Sequence, residues 1–258
     1  MKIVVLVKDV PDTYGERTLN LETGLAERDK SDRVIDEIVE RGLEFAISFA
    51  EQNEGTEVIA LSMATEQSSA TIRKALAMGA DRAVLVVDEA LHGADITLTA
   101  QVLAAALSHI GFDLIVAGDQ STDGVGGVIP AAIAELLDIP QLTRLASIEL
   151  SPDRVSGPRT SERVTLTLTA PLPAIVSVTE RFAEPRFANF KGIMAAKKKP
   201  FEVLSLSELN ATIDVMSAPR SIMTNIVAKP PRQAGVKVVA DGDTAQHLVE
   251  FLKKNQLV

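Results

Sequence analysis

Four short apolar runs, residues 3–7, 58–63, 83–87 and 114–117, are rich in Val, Ile and Leu and stand between longer stretches of helical periodicity. Runs of this kind read as parallel strands covered on both faces. The helices between them have readable ends. Asp36 is placed to cap a helix whose inward positions are Ile38, Val39, Leu43, Ala46 and Phe49, and Thr65 to cap a second with Ile72, Ala75, Leu76 and Met78 inward, closed by Gly79. A third helix is predicted from about Asp95 to Ile110, stopping at Gly111, and a fourth after a glycine-containing loop. Strand and helix alternating four times predict an α/β fold with a doubly wound, mostly parallel Rossmann-like sheet.

From Leu145 the pattern changes. "LASIELSPDRVSG" and "RVTLTLTAPLPAIVSV" alternate apolar and polar positions around Pro-Asp and Ser-Gly turns, which predicts antiparallel strands appended to the sheet edge, with "LPAIVSV" a buried strand. After Thr179 the period is lost. "ERFAEPRFANFKGIMAAKKKPFEVLSLSEL" holds no clean repeat, and "APRSIMTNIVAKPPRQAGVKVV" reads as an extended C-terminal arm. Segments so poor in apolar pattern are expected to be disordered or laid against another chain. A terminal helix returns near Thr244, with Leu248, Val249 and Leu252 on one face. Residues 1–183 are accordingly read as an α/β domain and 184–258 as a loop, an arm and that helix.

A length of 258 residues, 46% hydrophobic, allows a generous core, and a formal charge of -9 argues against nucleic acid, whose phosphates are held by dense Lys/Arg. The absence of cysteine removes disulfides, thiolate nucleophiles, iron–sulfur ligation and zinc ribbons. His92, His109 and His247 are scattered without metal-ligand spacing, and no Ser elbow, H-E-x-x-H or P-loop Lys occurs. The opening "MKIVVLVKDVPD" meets charge after too few apolar residues for a signal core or a span, so a cytoplasmic chain without membrane insertion is expected.

The chemistry concentrates at "GDQSTDGVGGVIP". Gly124 and Gly126 fit a dinucleotide fingerprint, but Ile129 takes the third glycine's place and the loop follows the fourth strand instead of the first, so that fingerprint is absent. What remains is a loop at the carboxyl end of a central strand, where open α/β sheets place ligands. Amides of Gly126, Gly127, Val128 and Ile129 are placed to receive phosphate oxygens, and Pro130, lacking an N–H, suits a first helical turn. Asp119, Gln120 and Asp123 form a polar rim; the two carboxylates would repel a phosphate and suit a ribose hydroxyl or a cap. The exit of the first strand, the start of the helix at Asp36, and Met63 open at the same edge, together an adenine-nucleotide pocket.

"VLVKDVPD", "IRKALAMGADRAV", "AGDQSTDGVGG…LLDIPQ" and above all "EPRFANFKGIMAAKKKPFEV" resemble, in order and over nearly the whole chain, the beta subunit of electron transfer flavoprotein. The resemblance implies a non-catalytic half of a heterodimer, whose alpha subunit holds most of the FAD while the beta subunit buries AMP or, in electron-bifurcating members, a second FAD. It implies transport of electrons from flavin-dependent dehydrogenases, those of fatty acid oxidation among them, to a quinone reductase. The family's nucleotide contacts fall on Leu6, on Asp36, Glu37, Ile38 and Val39, on Met63, and on Gly118, Asp119, Gln120, Ser121, Thr122, Asp123, Gly124, Val125, Gly126, Gly127, Val128 and Ile129. Its dehydrogenase-recognition loop falls on 184–199, with Glu184, Pro185, Arg186, Phe190, Ile193, Met194, Lys197, Lys198 and Lys199 as partner-binding residues.

This chain departs from the family at Asp119, where Lys or Arg is common, and at Thr13, where Tyr is common and Tyr14 follows one position later. With Gly127, Val128 and Ile129 in place of polar phosphate contacts, the contacts are expected to be mostly backbone. One Tyr, no Trp and no Cys leave few groups to hold a redox centre alone, so a shared cofactor is needed. The competing class is a stand-alone adenine-nucleotide sensor resembling the universal stress proteins, which has little use for residues 184–199. An ATP-splitting enzyme of the pyrophosphatase type would need a Ser-Gly-Gly loop after the first strand, and "VKDVPD" lacks it.

Overall fold

The computed structural model describes residues 1–209, 213, 221, 223–232, 234–235, 237 and 242–258. Strand β1 (Lys2–Leu6) leads into a small antiparallel ribbon of β2 (Asp9–Pro11) and β3 (Arg33–Ile35), joined by a long excursion over residues 12–32. The strand–helix alternation continues through α1 (Glu37–Gln52), β4 (Glu57–Met63), α2 (Ser69–Met78), β5 (Arg82–Val86), α3 (Ile96–Ile110), β6 (Leu114–Gly118) and α4 (Ile129–Leu137). Five strands follow: β7 (Gln141–Leu145), β8 (Glu149–Leu150), β9 (Arg154–Thr160), β10 (Thr165–Pro171) and β11 (Ala174–Val178). Helix α5 (Phe190–Ala196) and strand β12 (Phe201–Leu204) follow. Described by itself, the compact unit over 225–258 carries α6 (Thr244–Lys254), whose Leu248, Val249 and Phe251 are exposed.

The sheet has the order β10-β9-β7-β11-β6-β1-β4-β5-β12, with β8 pairing β9. All pairs from β7 to β12 are parallel, and β8, β9 and β10 form the antiparallel edge, as the alternating pattern implies. From β1 the chain builds outward through β4 and β5, then returns to lay β6 on the other flank of β1. The reversal opens a crevice at the carboxyl ends of β1 and β6, the standard ligand position in open α/β sheets.

Alternate residues of β1 serve two cores. Ile3 and Val5 pack with Leu43, Ile72 and Leu76 of α1 and α2, whereas Val4 packs with Leu61, Leu107, Ile115 and Ile133 on the face covered by α3 and α4. Each such aliphatic side chain contributes about 1.5–3 kcal/mol on burial, so the crevice rests on a rigid base. Gly42 brings α1 close to β6: a Cβ there would lie 2.9 Å from Cγ1 of Val116.

Two expectations are corrected. Thr65 makes no side-chain cap; it precedes a single 3-10 turn, Glu66–Ser68, and α2 starts after it. Residues 180–209 are folded on this chain's own sheet: Phe182 is buried edge-on to Phe45 with ring centroids 6.1 Å apart, β12 extends the sheet beside β5, and Leu204 and Leu209 are buried. Strands β2, β3 and β7 were unanticipated, since β7 exposes Gln141 and Arg144 and the β2–β3 ribbon joins segments far apart in sequence. The extended arm expected over 218–239 lies in part outside the described residues.

Candidate functional site

Leu6 and Met63 end β1 and β4, Gly118 ends β6, and Asp36 starts α1, so four of the predicted pocket segments converge on one sheet edge. Asp36 is fully buried and both its oxygens are engaged: Oδ1 accepts from the Ile38 amide at 3.1 Å and Oδ2 from the Thr122 amide at 2.7 Å. The residue predicted as a helix cap is therefore also the anchor of the glycine loop. Ile38 and Val39 are buried beneath it, each 3.3 Å from the position a Gly118 Cβ would take, while Glu37 is exposed and accepts from the Thr13 hydroxyl at 3.2 Å.

Past β6 the loop turns through Asp119 and Gln120, then closes with the Val125 amide on the Ser121 carbonyl at 2.9 Å. Val125 and Gly127 take positive φ of 51° and 64°, a region that strains β-branched residues and suits glycine. Gly124, Val125, Gly126, Gly127 and Val128 are exposed, and the amides of Gly126, Gly127, Val128 and Ile129 donate to no acceptor among the described residues. Pro130 occupies the first turn of α4. A Cβ on Gly126 would meet nothing nearer than Ile96 Cδ1 at 3.5 Å, so the side of the loop it faces is open to an approaching ligand. Unclaimed amides at a helix start, with the dipole behind them, form a cradle for an anion. The hydroxyl of Thr122 is buried without a partner, a further polar atom at the same place.

Neither rim carboxylate caps α4, although Asp123 Oδ1 accepts from the Gly124 amide at 2.6 Å. Asp123 is tied to Lys8 at 2.6 Å and Arg28 at 3.1 Å; burial alone would raise its pKa, but the Lys8 hydrogen bond and charge, with Ser121 and Arg28, hold it down to about 2. Asp119 is buried, and burial pushes its carboxyl up, only partly offset by Arg144 at 3.7 Å; Oδ1 has no partner. Lys8, Arg28 and Arg144 were not anticipated as site residues. Lys8 had a local signal, lying within "VLVKDVPD", whereas the other two reach the loop only through the fold.

The second group of predicted residues lies elsewhere on the fold. Arg186 forks onto Glu44 at 2.8 Å and Glu51 at 2.5 Å, and those hydrogen bonds raise its pKa; it fastens residues 184–189 to α1. Lys199 donates to the carbonyls of Leu76, Gly79 and Ala80 at 3.1, 3.0 and 2.6 Å, capping the carboxyl end of α2, and desolvation there lowers its pKa. Gly192 seats α5 on α2: a Cβ there would lie 2.2 Å from the Ala77 carbonyl oxygen. Between these fastenings Phe190, Ile193 and Met194 are exposed with Phe187, as are Glu184, Lys197 and Lys198, while Pro185 is half-buried. An apolar patch framed by lysines on a firmly seated helix has the character of an interaction surface.

A switch-point crevice and a loop of unclaimed amides sit together on a doubly wound, mostly parallel α/β sheet. A family model described as the electron transfer flavoprotein domain matches residues 23–209. The chain is 43% identical over 99% of both chains to the electron transfer flavoprotein subunit beta of Mycobacterium leprae, and 32% identical over the full length of both to that of Bacillus subtilis. It is also 28% identical, full length on both sides, to the caffeyl-CoA reductase-Etf complex subunit CarD of Acetobacterium woodii. The chain belongs to the electron transfer flavoprotein beta subunit family, a family of electron carriers.

Proposed function

We propose that this chain is the nucleotide-holding half of a heterodimeric electron carrier: it binds AMP at the glycine loop, supports FAD held mainly by an alpha subunit, and works between flavin-dependent dehydrogenases and a quinone reductase. The observation that carries the reading is the set of unclaimed amides at Gly126, Gly127, Val128 and Ile129, at the carboxyl end of β6. Each charge-assisted hydrogen bond to a phosphoryl oxygen contributes about 1.5–3 kcal/mol, and the start of α4 adds up to about 1 kcal/mol.

Within the pocket, Leu6 and Met63 offer apolar surface to a base, and the Asp119 carboxylate, whose Oδ1 lacks a donor, suits a ribose hydroxyl. Asp36, with an amide on each oxygen, acts by holding the loop in shape. FAD, when bound, supplies the electron-accepting ring; this chain's part is to seat it against the partner and to present α5 to dehydrogenases. Phe190, Ile193 and Met194 form the contact, and Arg186 and Lys199 hold the helix that carries them. The stand-alone sensor leaves that exposed surface without use. A cytoplasmic location fits, and no helix among the described residues is long and apolar enough to cross a membrane.

The test is co-expression with the alpha partner and mass identification of the nucleotides released on denaturation. The reading expects AMP and FAD together; FAD in both sites would identify a bifurcating relative, and the absence of any nucleotide beyond the partner's FAD would refute the pocket. Gly127→Val should reduce the AMP content, because a β-branched residue at φ 64° strains the loop.

A further inference from the structure

Three cations converge on three consecutive loop residues of a chain whose net charge is -9. Lys8 Nζ donates to the Ser121 hydroxyl at 3.0 Å and to Asp123 Oδ1 at 2.6 Å; Arg28 donates to Asp123 Oδ2 at 3.1 Å; Arg17 donates to the Thr122 carbonyl. Lys8 comes from the link between β1 and β2, and both arginines from the excursion over residues 12–32 between β2 and β3, so two separate segments deliver positive charge to the same spot. Among the described residues Asp123 is the one carboxylate paired with Lys8 and Arg28, and Asp36, whose oxygens accept the Ile38 and Thr122 amides, adds a second negative charge beneath the loop, which leaves three cations against two. The Lys8 and Arg28 side chains keep about two fifths of their surface exposed, at 42% and 37%, so they are open to a second anion.

The cluster adjoins the cradle. A Cβ on Gly124 would lie 3.7 Å from Lys8 Nζ, and two residues further on begin the amides that lack an acceptor. Excess positive charge beside unclaimed donors and the buried, unpartnered Thr122 hydroxyl is the environment a phosphate requires and a neutral ligand does not. A phosphate cradle made of backbone alone, as the substitutions at 127–129 suggested, is therefore incomplete.

We propose, resting on the nucleotide reading above, that Lys8 and Arg28, with Arg17 beside them, neutralise a nucleotide phosphate at the glycine loop, Asp123 holding the first two in place until the phosphate shares them. The phosphate has two possible sources, AMP in this chain's own pocket or the diphosphate of FAD carried in by the partner.

The test is calorimetric titration of AMP and of adenosine into the heterodimer stripped of AMP, together with the FAD content of the heterodimer as purified, for wild type and the double variant Lys8→Gln, Arg28→Gln. The expected result is an AMP affinity weaker by about tenfold or more with adenosine binding unchanged. Loss of FAD with AMP binding intact supports the same phosphate role and assigns it to the partner's dinucleotide. If wild type binds AMP and the double variant keeps both AMP affinity and FAD, the proposal is overturned while the loop reading stands; a wild type that binds no AMP overturns that reading and this proposal with it. Asp123→Asn, which removes the carboxylate that fixes Lys8 and Arg28, should weaken AMP binding, and unchanged or tighter binding in that variant would refute the holding role. Lys8→Arg should restore AMP affinity, which a loss caused by misfolding would not explain.

Discussion

The backbone amide of Thr122 donates to Oδ2 of Asp36 at 2.7 Å, joining two residues 86 positions apart, while the other oxygen of the same carboxylate starts α1 through the Ile38 amide. The carboxylate is fully buried, so it has no water to replace either donor. Asp36→Ala should destabilise the chain by about 2–4 kcal/mol, the loss of a cap plus an orphaned buried amide. Urea unfolding would measure it, and the glycine loop should lose protection in hydrogen exchange ahead of the sheet. A loss confined to the start of α1, with the loop's exchange unchanged, would show that the bond does not hold the loop.

The Asp123 carboxyl is depressed from 3.8 to about 2 in the folded chain, so folding favours its ionised form. The associated stabilisation, about 2 kcal/mol, is fully present above the unfolded value near 4. It declines as pH falls toward 2 and is absent below both values. Wild type and Asp123→Asn should therefore differ most in urea midpoint at neutral pH and converge as pH drops through that window. A constant difference across the range would remove ionisation as its cause.

Arg186 bridges residues 184–189 to Glu44 and Glu51 through a side chain one-third exposed. Because solvent screens part of that network, Arg186→Ala should cost about 1–2 kcal/mol and should speed proteolysis within 184–199 more than elsewhere. Uniform cleavage along the chain would show that the bridge does not locally secure this segment.

Phe190 is 79% exposed at the first position of α5, with Asn189 capping the helix through the Gly192 amide at 2.8 Å. Truncating it removes contact surface without disturbing packing. Phe190→Ala should slow electron delivery from a flavin-dependent dehydrogenase to the heterodimer by roughly tenfold, the share of a central interface residue, and leave the flavin spectrum unaltered. Unchanged transfer rates would take Phe190 out of the docking surface.

The parallel sheet was legible because β1, β4, β5 and β6 are buried on both faces and carry no other signal, and because Asp36, Asp95 and Gly79 stand where helices begin and end. Where folding depends on contacts distant in sequence, legibility failed. Helix α5 has no apolar period of its own; it forms because Gly192 allows close approach to Ala77 and Lys199 is drawn to the end of α2. The glycine loop announced itself by composition, yet its anchor and its cations did not. Asp36 was visible as a cap for one amide, while its bond to Thr122 exists only once β6 returns beside β1. Arg28 belongs to an irregular segment and gains its meaning from reaching Asp123 across the sheet edge.

The central claim is that the amides of Gly126 to Ile129 grip a nucleotide phosphate, and the most direct measurement is an experimental structure of the heterodimer purified with its natural nucleotides. The account predicts a phosphoryl group with oxygens about 3 Å from those nitrogens, and the base between Leu6 and Met63. A loop filled by its own side chains, or a nucleotide whose phosphate lies elsewhere in the assembly, would contradict it.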